Sequence, residues 1–323
     1  MSPGVKSFES EIEARGLRLE RILVASDHKR QVTALVADTS ERQYVAKWRA
    51  SGFAESSGSL HQELCVYRDN PDAPYLPRVH LLDPRLLVVE HVPSSTLRQH
   101  LLTRLGSAPS EVGPVLRRFL EFFQQAWGFE RFYFSRATLT ALFPYMKKLC
   151  LSGPRDSPRH RHRLPNAALV RGPLVWIRAH ASRFQFEARE PQRIHGDLHL
   201  DNVLVSDASG VMKVIDWENS HFESPLVDFL YSTAMVHCLL KPHQDLSRDF
   251  AAMMNDAFAR MRPRTAEAAR YFHALFSALI ATNNRFGGAG GRSEWLRAWA
   301  GVPAQLRLPP PAQPNRRSAD GNS

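Results

Sequence analysis

Short apolar runs divided by polar turns open the chain. Arg21–Ser26 (RILVAS), Gln31–Ala37 (QVTALVA) and Gln43–Trp48 (QYVAKW) are rich in β-branched residues, with DHKR and DTSER between them. That pattern predicts three hairpin-linked strands. In SSGSLHQELCVYRD, Leu60, Leu64 and Tyr67 then fall at helical spacing behind serines able to cap a helix. Two further runs, Arg78–Leu82 and Leu86–Val92, restore strand character before Pro93.

Beyond Pro93 the period changes. Ser95–Leu105 and Val115–Trp127 read as helices, the second with Leu116, Phe119, Leu120, Phe123 and Trp127 on one stripe. Another helix is expected at about Leu174–Ala188, followed by two amphipathic stretches, Leu246–Met261 and Ala266–Phe286, the latter ending at GGAGG. The shift from strands to helices predicts two lobes: residues 18–92, a sheet with one helix, and residues 93–306, mostly helical. Residues 1–17 stand apart as an N-terminal extension, and the proline-rich, polar residues 307–323 read as a disordered tail.

Composition supports a folded chain and excludes little else. With 323 residues, 43% of them hydrophobic, there is material for one large or two medium cores. The amino terminus lacks the apolar run of a secretory signal and no stretch has the length of a membrane span, so a cytoplasmic protein is expected. Cys65, Cys150 and Cys238 are far apart and fit neither a disulfide framework nor a zinc site. The net charge of +10 raises nucleic acid or a membrane surface as partners. Much of that excess lies in loops and tails, among them the Arg- and His-rich stretch Gly153–Pro165, which has the prolines of an exposed loop and no interleaved aromatics for stacking bases. No clear nucleic-acid or membrane partner emerges.

The chemistry concentrates in HGDLHLDN, residues 195–202, followed by VLV, a turn, and VMKVIDWE. The spacing matches the kinase catalytic loop: His, any residue, Asp, Leu, three residues, Asn, with a second Asp at the end of the next strand pair. Phosphoryl transfer needs a carboxylate that orients the attacking hydroxyl and separate oxygen ligands for Mg²⁺. Asp197 and Asn202 from one loop, with Asp216 beyond a hairpin, supply those parts.

This region resembles the aminoglycoside phosphotransferase and choline kinase superfamily, whose members carry HGDxxxxN followed by IDWE or IDFE. The resemblance implies an α+β, two-lobed protein-kinase-like fold, with a small antiparallel sheet in the N-lobe and a larger helical C-lobe. It implies an ATP-dependent kinase that phosphorylates a hydroxyl of a sugar, aminoglycoside or amino alcohol. Asp197 becomes the base, Asn202 and Asp216 the Mg²⁺ ligands, and His195, His199 and Asp228 supports of the loop. Glu218 reaches either a water on the ion, the substrate, or only a surface salt bridge. Lys47 in YVAKW resembles the lysine that steadies the α and β phosphates, with Glu63 its expected partner and Glu55 the alternative. Ser26 stands at the phosphate turn, and adenine is expected against the connector at Glu90–Val92.

Two departures matter. The turn Ser26–Gln31 has no glycine, and neither does EHVPSSTL. They keep open a second reading, a kinase-like binding or scaffold protein without catalysis. The few residues between Asp216 and Pro225 leave no room for a long protein-docking segment, which favours a small acceptor. Carboxylates at Glu218, Glu223, Asp245, Asp249 and Asp256 are candidates to receive a cationic one.

Overall fold

The computed structural model describes residues 3–26, 31–50, 60–142, 186–187, 189–206 and 209–281. The stretch 153–165, most of the helix expected at 174–188, Glu55, Cys150 and the tail from 307 lie outside them. Helix α1 (Pro3–Glu13) precedes β1 (Arg18–Ser26), β2 (Gln31–Ala37) and β3 (Gln43–Arg49), then α2 (Leu60–Asp69), β4 (Val79–Asp83) and β5 (Leu86–Glu90). After the short β6 (Ser94–Thr96) come α3 (Leu97–Ser107) and α4 (Val112–Ala126). Four short strands follow: β7 (Gln192–Ile194), β8 (Val203–Ser206), β9 (Met212–Val214) and β10 (His221–Glu223). Helices α5 (Leu226–Leu240), α6 (Gln244–Arg260) and α7 (Pro263–Ala281) complete the described chain.

The first five strands form an antiparallel sheet in the order β1-β2-β3-β5-β4. Period-two alternation divides its side chains between two cores. Leu87 and Val89 of β5 join Leu60, Leu64 and Tyr67 of α2 in the large cluster that continues through the C-terminal helices. Leu86 and Val88 face the other way, with Val32, Ala34, Ala46 and Trp48, and are covered by Val5, Phe8 and Ile12 of α1. Residues set apart in the sequence as an extension therefore close one face of the sheet.

Helices α4, α6 and α7 start earlier than the apolar pattern predicts, two of them with a proline in the first turn. Helix α4 begins at Val112 because Pro114 sits in its first turn, where the missing amide costs no hydrogen bond. Helix α7 begins at Pro263 for the same reason. Helix α5 gave no periodic signal: Leu226–Val236 is buried on every side, packed against α6 and α7. A helix surrounded by protein has no polar face to mark its period.

The connector is tied to the motif region by backbone. β6 pairs with β8, and β8 with β9, so the strand after Pro93 and the hairpin carrying Asp216 share one small sheet. A second pair, β7 with β10, aligns the chain just before His195 with the chain just after Glu218. Among the described residues no helix is long and apolar enough to cross a membrane.

Candidate active site

The catalytic-loop sequence is shaped by a buried carboxylate. Asp228, on the first turn of α5 and fully buried, accepts from the backbone N–H of His195 at 2.7 Å and of Gly196 at 3.2 Å. Burial pushes its carboxyl up to about 6, against the pull of the backbone amides at His195, Gly196 and Leu198. Gly196 has φ +80°, and a Cβ there would lie 2.2 Å from the Asn219 carbonyl oxygen. The position excludes any side chain.

His195 holds the loop from within. Its Nε2 lies 2.8 Å from the Ile215 carbonyl and its Nδ1 accepts from the Asp197 N–H at 3.2 Å, which assigns the proton to Nε2. Burial pushes the imidazole down to about 4, so it stays neutral. It joins the loop to the strand end before Asp216 and does so from inside the core. His199 caps the turn Leu200–Asn202 through Nδ1, accepting from the Asp201 N–H at 3.3 Å. Asn202 Nδ2 donates to the Asp197 carbonyl at 3.1 Å, which leaves Oδ1 as the end of the amide directed away from that bond.

Asp216 adopts left-handed backbone, φ 67° and ψ 52°, a conformation aspartate tolerates better than most residues. Its carboxylate Oδ1 accepts from Lys47 Nζ at 3.0 Å. The same ammonium donates to Glu63 at 2.8 and 3.0 Å. Burial works against the charge on Lys47, but the carboxylates of Glu63 and Asp216 hold it above the ordinary lysine value. For Asp216 burial is again the largest influence and opposes ionisation, but the Lys47 charge and hydrogen bond, together with His195 and His199, hold the carboxyl below its ordinary value. Glu218 lies in the turn Trp217–Asn219; carboxylate oxygens of Glu63, Asp216 and Glu218 lie within 4.8 Å of one another. The alternative partner for Lys47, Glu55, lies outside the described residues.

These groups border a cleft of about 660 Å³. Ser26, Lys47, Glu63, Glu90, Val92, Asn202, Asp216 and Glu218 all line it, beside apolar walls that include Val45, Leu87, Val89 and Leu204. Asp197 lies outside this lining and reaches the cleft through its bond to Asn202. The donor set fits a hard divalent cation, with carboxylate oxygens from Asp216 and Glu218 and an amide oxygen from Asn202. The connector offers less backbone than a free strand would: the Glu90 N–H is bonded to Arg78 and the His91 N–H to Gln43.

Glu223 does not fit an acceptor role. It is buried, and its Oε1 accepts from Thr138 Oγ1 and the Ser224 N–H, both at 2.8 Å. Asp245, Asp249 and Asp256 are exposed on α6 and none lines the cleft. Two contributors had no signature in the sequence. Asp201 accepts from Thr96 Oγ1 at 3.4 Å and pairs with Arg98 at 3.7 Å, joining the loop to the start of α3. Gln31 donates through Nε2 to Glu218 Oε1 at 2.5 Å, from the sheet to the turn after Asp216. A lone polar residue beginning a strand carries no periodicity that would single it out.

A small antiparallel sheet over a helical body, with a strand lysine paired to a helix glutamate above an Asp–Asn loop, defines a kinase-like phosphotransferase. The match to the family model of the phosphotransferase enzyme family runs over residues 22–272, and the chain belongs to that family. Among solved structures it is similar to a macrolide 2'-phosphotransferase type I, at 15% identity and TM-score 0.52, covering 94% of this chain and 98% of that one. It is also similar to an ethanolamine kinase of Plasmodium vivax, at 10% identity and TM-score 0.50, covering 94% and 85% of the two chains. No curated protein matches the chain.

Proposed function

We propose that this protein is an ATP-dependent, magnesium-requiring kinase that transfers the γ-phosphate to a hydroxyl group of a small molecule. The observation that carries the reading is the Lys47 ammonium, held between Glu63 and Asp216 in the cleft that Asn202 also lines. Two carboxylates fix a cation there, and the apolar walls beside it suit a purine ring.

In this reading Lys47 binds the α and β phosphates, while Asn202 through Oδ1 and Asp216 through its carboxylate hold the ion. The ion, when bound there, would neutralise phosphate charge during transfer. Asp197 accepts a hydrogen bond from the acceptor hydroxyl, orients its oxygen in line with the γ-phosphorus, and takes the proton. Its carbonyl is anchored by Asn202 Nδ2 and the His199 N–H, so the residue enters the reaction already placed. His195 and Asp228 keep the loop in shape and touch no substrate.

The likeness to a macrolide phosphotransferase and an ethanolamine kinase supports a small molecule as acceptor, and a sugar, aminoglycoside or amino alcohol is the class we propose. The short chain from Asp216 to Pro225, which runs directly through a turn and β10 into α5, also supports a small acceptor. Calorimetric titration with ATP tests the nucleotide half. Binding is expected to require Mg²⁺, to persist in Asp197→Ala and to fall by at least about tenfold in Asp216→Ala. Equal affinity with and without the Asp216 carboxylate would remove the ligand assignment.

A further inference from the structure

A glycine-rich turn holds phosphates with backbone amides because nothing on the chain blocks their approach. The sequence between the first two strands, Ser26–Gln31, contains no glycine. Something else must set how near β1 and β2 stand to the phosphates.

Gln31 is the first residue of β2 and pairs with Ser26, the last of β1. Its side chain leaves the sheet and donates to Glu218 at 2.5 Å, a contact between residues 187 positions apart. Both residues line the cleft, and they meet where its carboxylates gather. Lys47 bonds Glu63 and Asp216; the Gln31 amide is donated to the third carboxylate, Glu218. A hydrogen bond to an ionised acceptor is shorter and stronger than one between neutral groups. This one spans the cleft from strand to turn.

We propose that Gln31 is a positioning residue for the nucleotide phosphates: its tie to Glu218 fixes the gap between β2 and the turn Trp217–Asn219. The tie supplies through a side chain the spacing that close backbone approach supplies in a glycine turn. It also directs the Glu218 carboxylate, because Oε1 is committed to the amide. The inference rests on the nucleotide-binding reading given above.

Gln31→Met keeps the side chain's length and removes the donor. Its affinity for Mg²⁺-ATP, measured by calorimetry, is expected to fall about tenfold, because the turn Trp217–Asn219 is no longer held at its distance from β2. Adenosine, which has no phosphates, is expected to bind the variant and the parent alike, and the far-UV circular dichroism to show the same fold. With Glu218→Ala as background the same substitution is expected to add nothing, since the partner is already gone. Equal losses for Mg²⁺-ATP and adenosine would overturn the proposal, and so would unchanged Mg²⁺-ATP affinity or full additivity with Glu218→Ala. Should the methionine variant not fold, Gln31→Asn, one methylene too short to reach, carries the same test. A parent that fails to bind Mg²⁺-ATP would overturn the nucleotide reading and this inference with it.

Discussion

At Gly196 a methyl group would land 2.2 Å from the Asn219 carbonyl oxygen and 2.8 Å from His221 Nδ1, on backbone already at φ +80°. Gly196→Ala is therefore expected to lower stability by at least about 2 kcal/mol and to displace the neighbouring Asp197. Thermal unfolding reads the first effect and turnover the second; a variant with the parent's melting temperature would contradict the packing. His195 and Asp228, which meet at this backbone, carry opposing acid responses. His195, down to about 4 from 6.5, is protonated first in the unfolded chain, so its contribution to stability is lost as pH falls through that window. Asp228, up to about 6 from 3.8, is protonated first in the folded chain, so stability from this group rises as pH falls through its window. The two offset each other in the parent. Asp228→Asn removes the second alone, and between pH 7 and pH 4 the variant is expected to lose about 2 kcal/mol more than the parent. Urea unfolding at each pH measures the difference, and parallel curves would contradict it. Of these residues, His195 and Gly196 stand in the motif and Asp228 was named by the family resemblance; what the sequence could not display was that one amide, Gln31, reaches from another strand to Glu218.

At the scale of elements, legibility followed exposure. The strands with alternating burial and the helix with one apolar stripe were readable because one side of each meets solvent or a second layer. Helix α5 was not, because nearly all of it is core. Helix α1 was missed for a different reason: Val5, Phe8 and Ile12 do fall at helical spacing, but three apolar residues in a short, charged segment are too few to distinguish it from a loose terminus. Its role is nonetheless specific. Phe8 is fully buried against Trp48, ring centroids 6.0 Å apart. Phe8→Ala is expected to cost about 3–4 kcal/mol by leaving a cavity under the sheet. Because α1 covers the face opposite the cleft, adenosine affinity at a temperature where the variant stays folded is expected to match the parent's. A drop in melting temperature with unchanged adenosine binding checks both statements; a stable variant would contradict the burial.

For the molecule as a whole, the site depends on parts distant in sequence arriving together. Lys47 comes from β3, Glu63 from α2, Asn202 from the loop before β8 and Asp216 from the end of β9. The motif spacing accounts for the last two, since a loop and hairpin are local. The first two meet them because α2 packs against the turn Trp217–Asn219 and the Lys47 ammonium joins Glu63 to Asp216, and the order of motifs along the chain was the sole sign of it. The acceptor's identity is written in neither the exposed carboxylates of α6 nor the buried Glu223. The central claim is that Asp197 takes a proton from a small alcohol while the Lys47, Asn202 and Asp216 cluster holds Mg²⁺-ATP. ADP release over a panel of sugars, aminoglycosides and amino alcohols tests it most directly, with the parent and Asp197→Ala run side by side. Acceptor-stimulated ADP release is expected from the parent, with a loss of at least about a hundredfold in the variant; equal rates from the two proteins would remove Asp197 from the reaction.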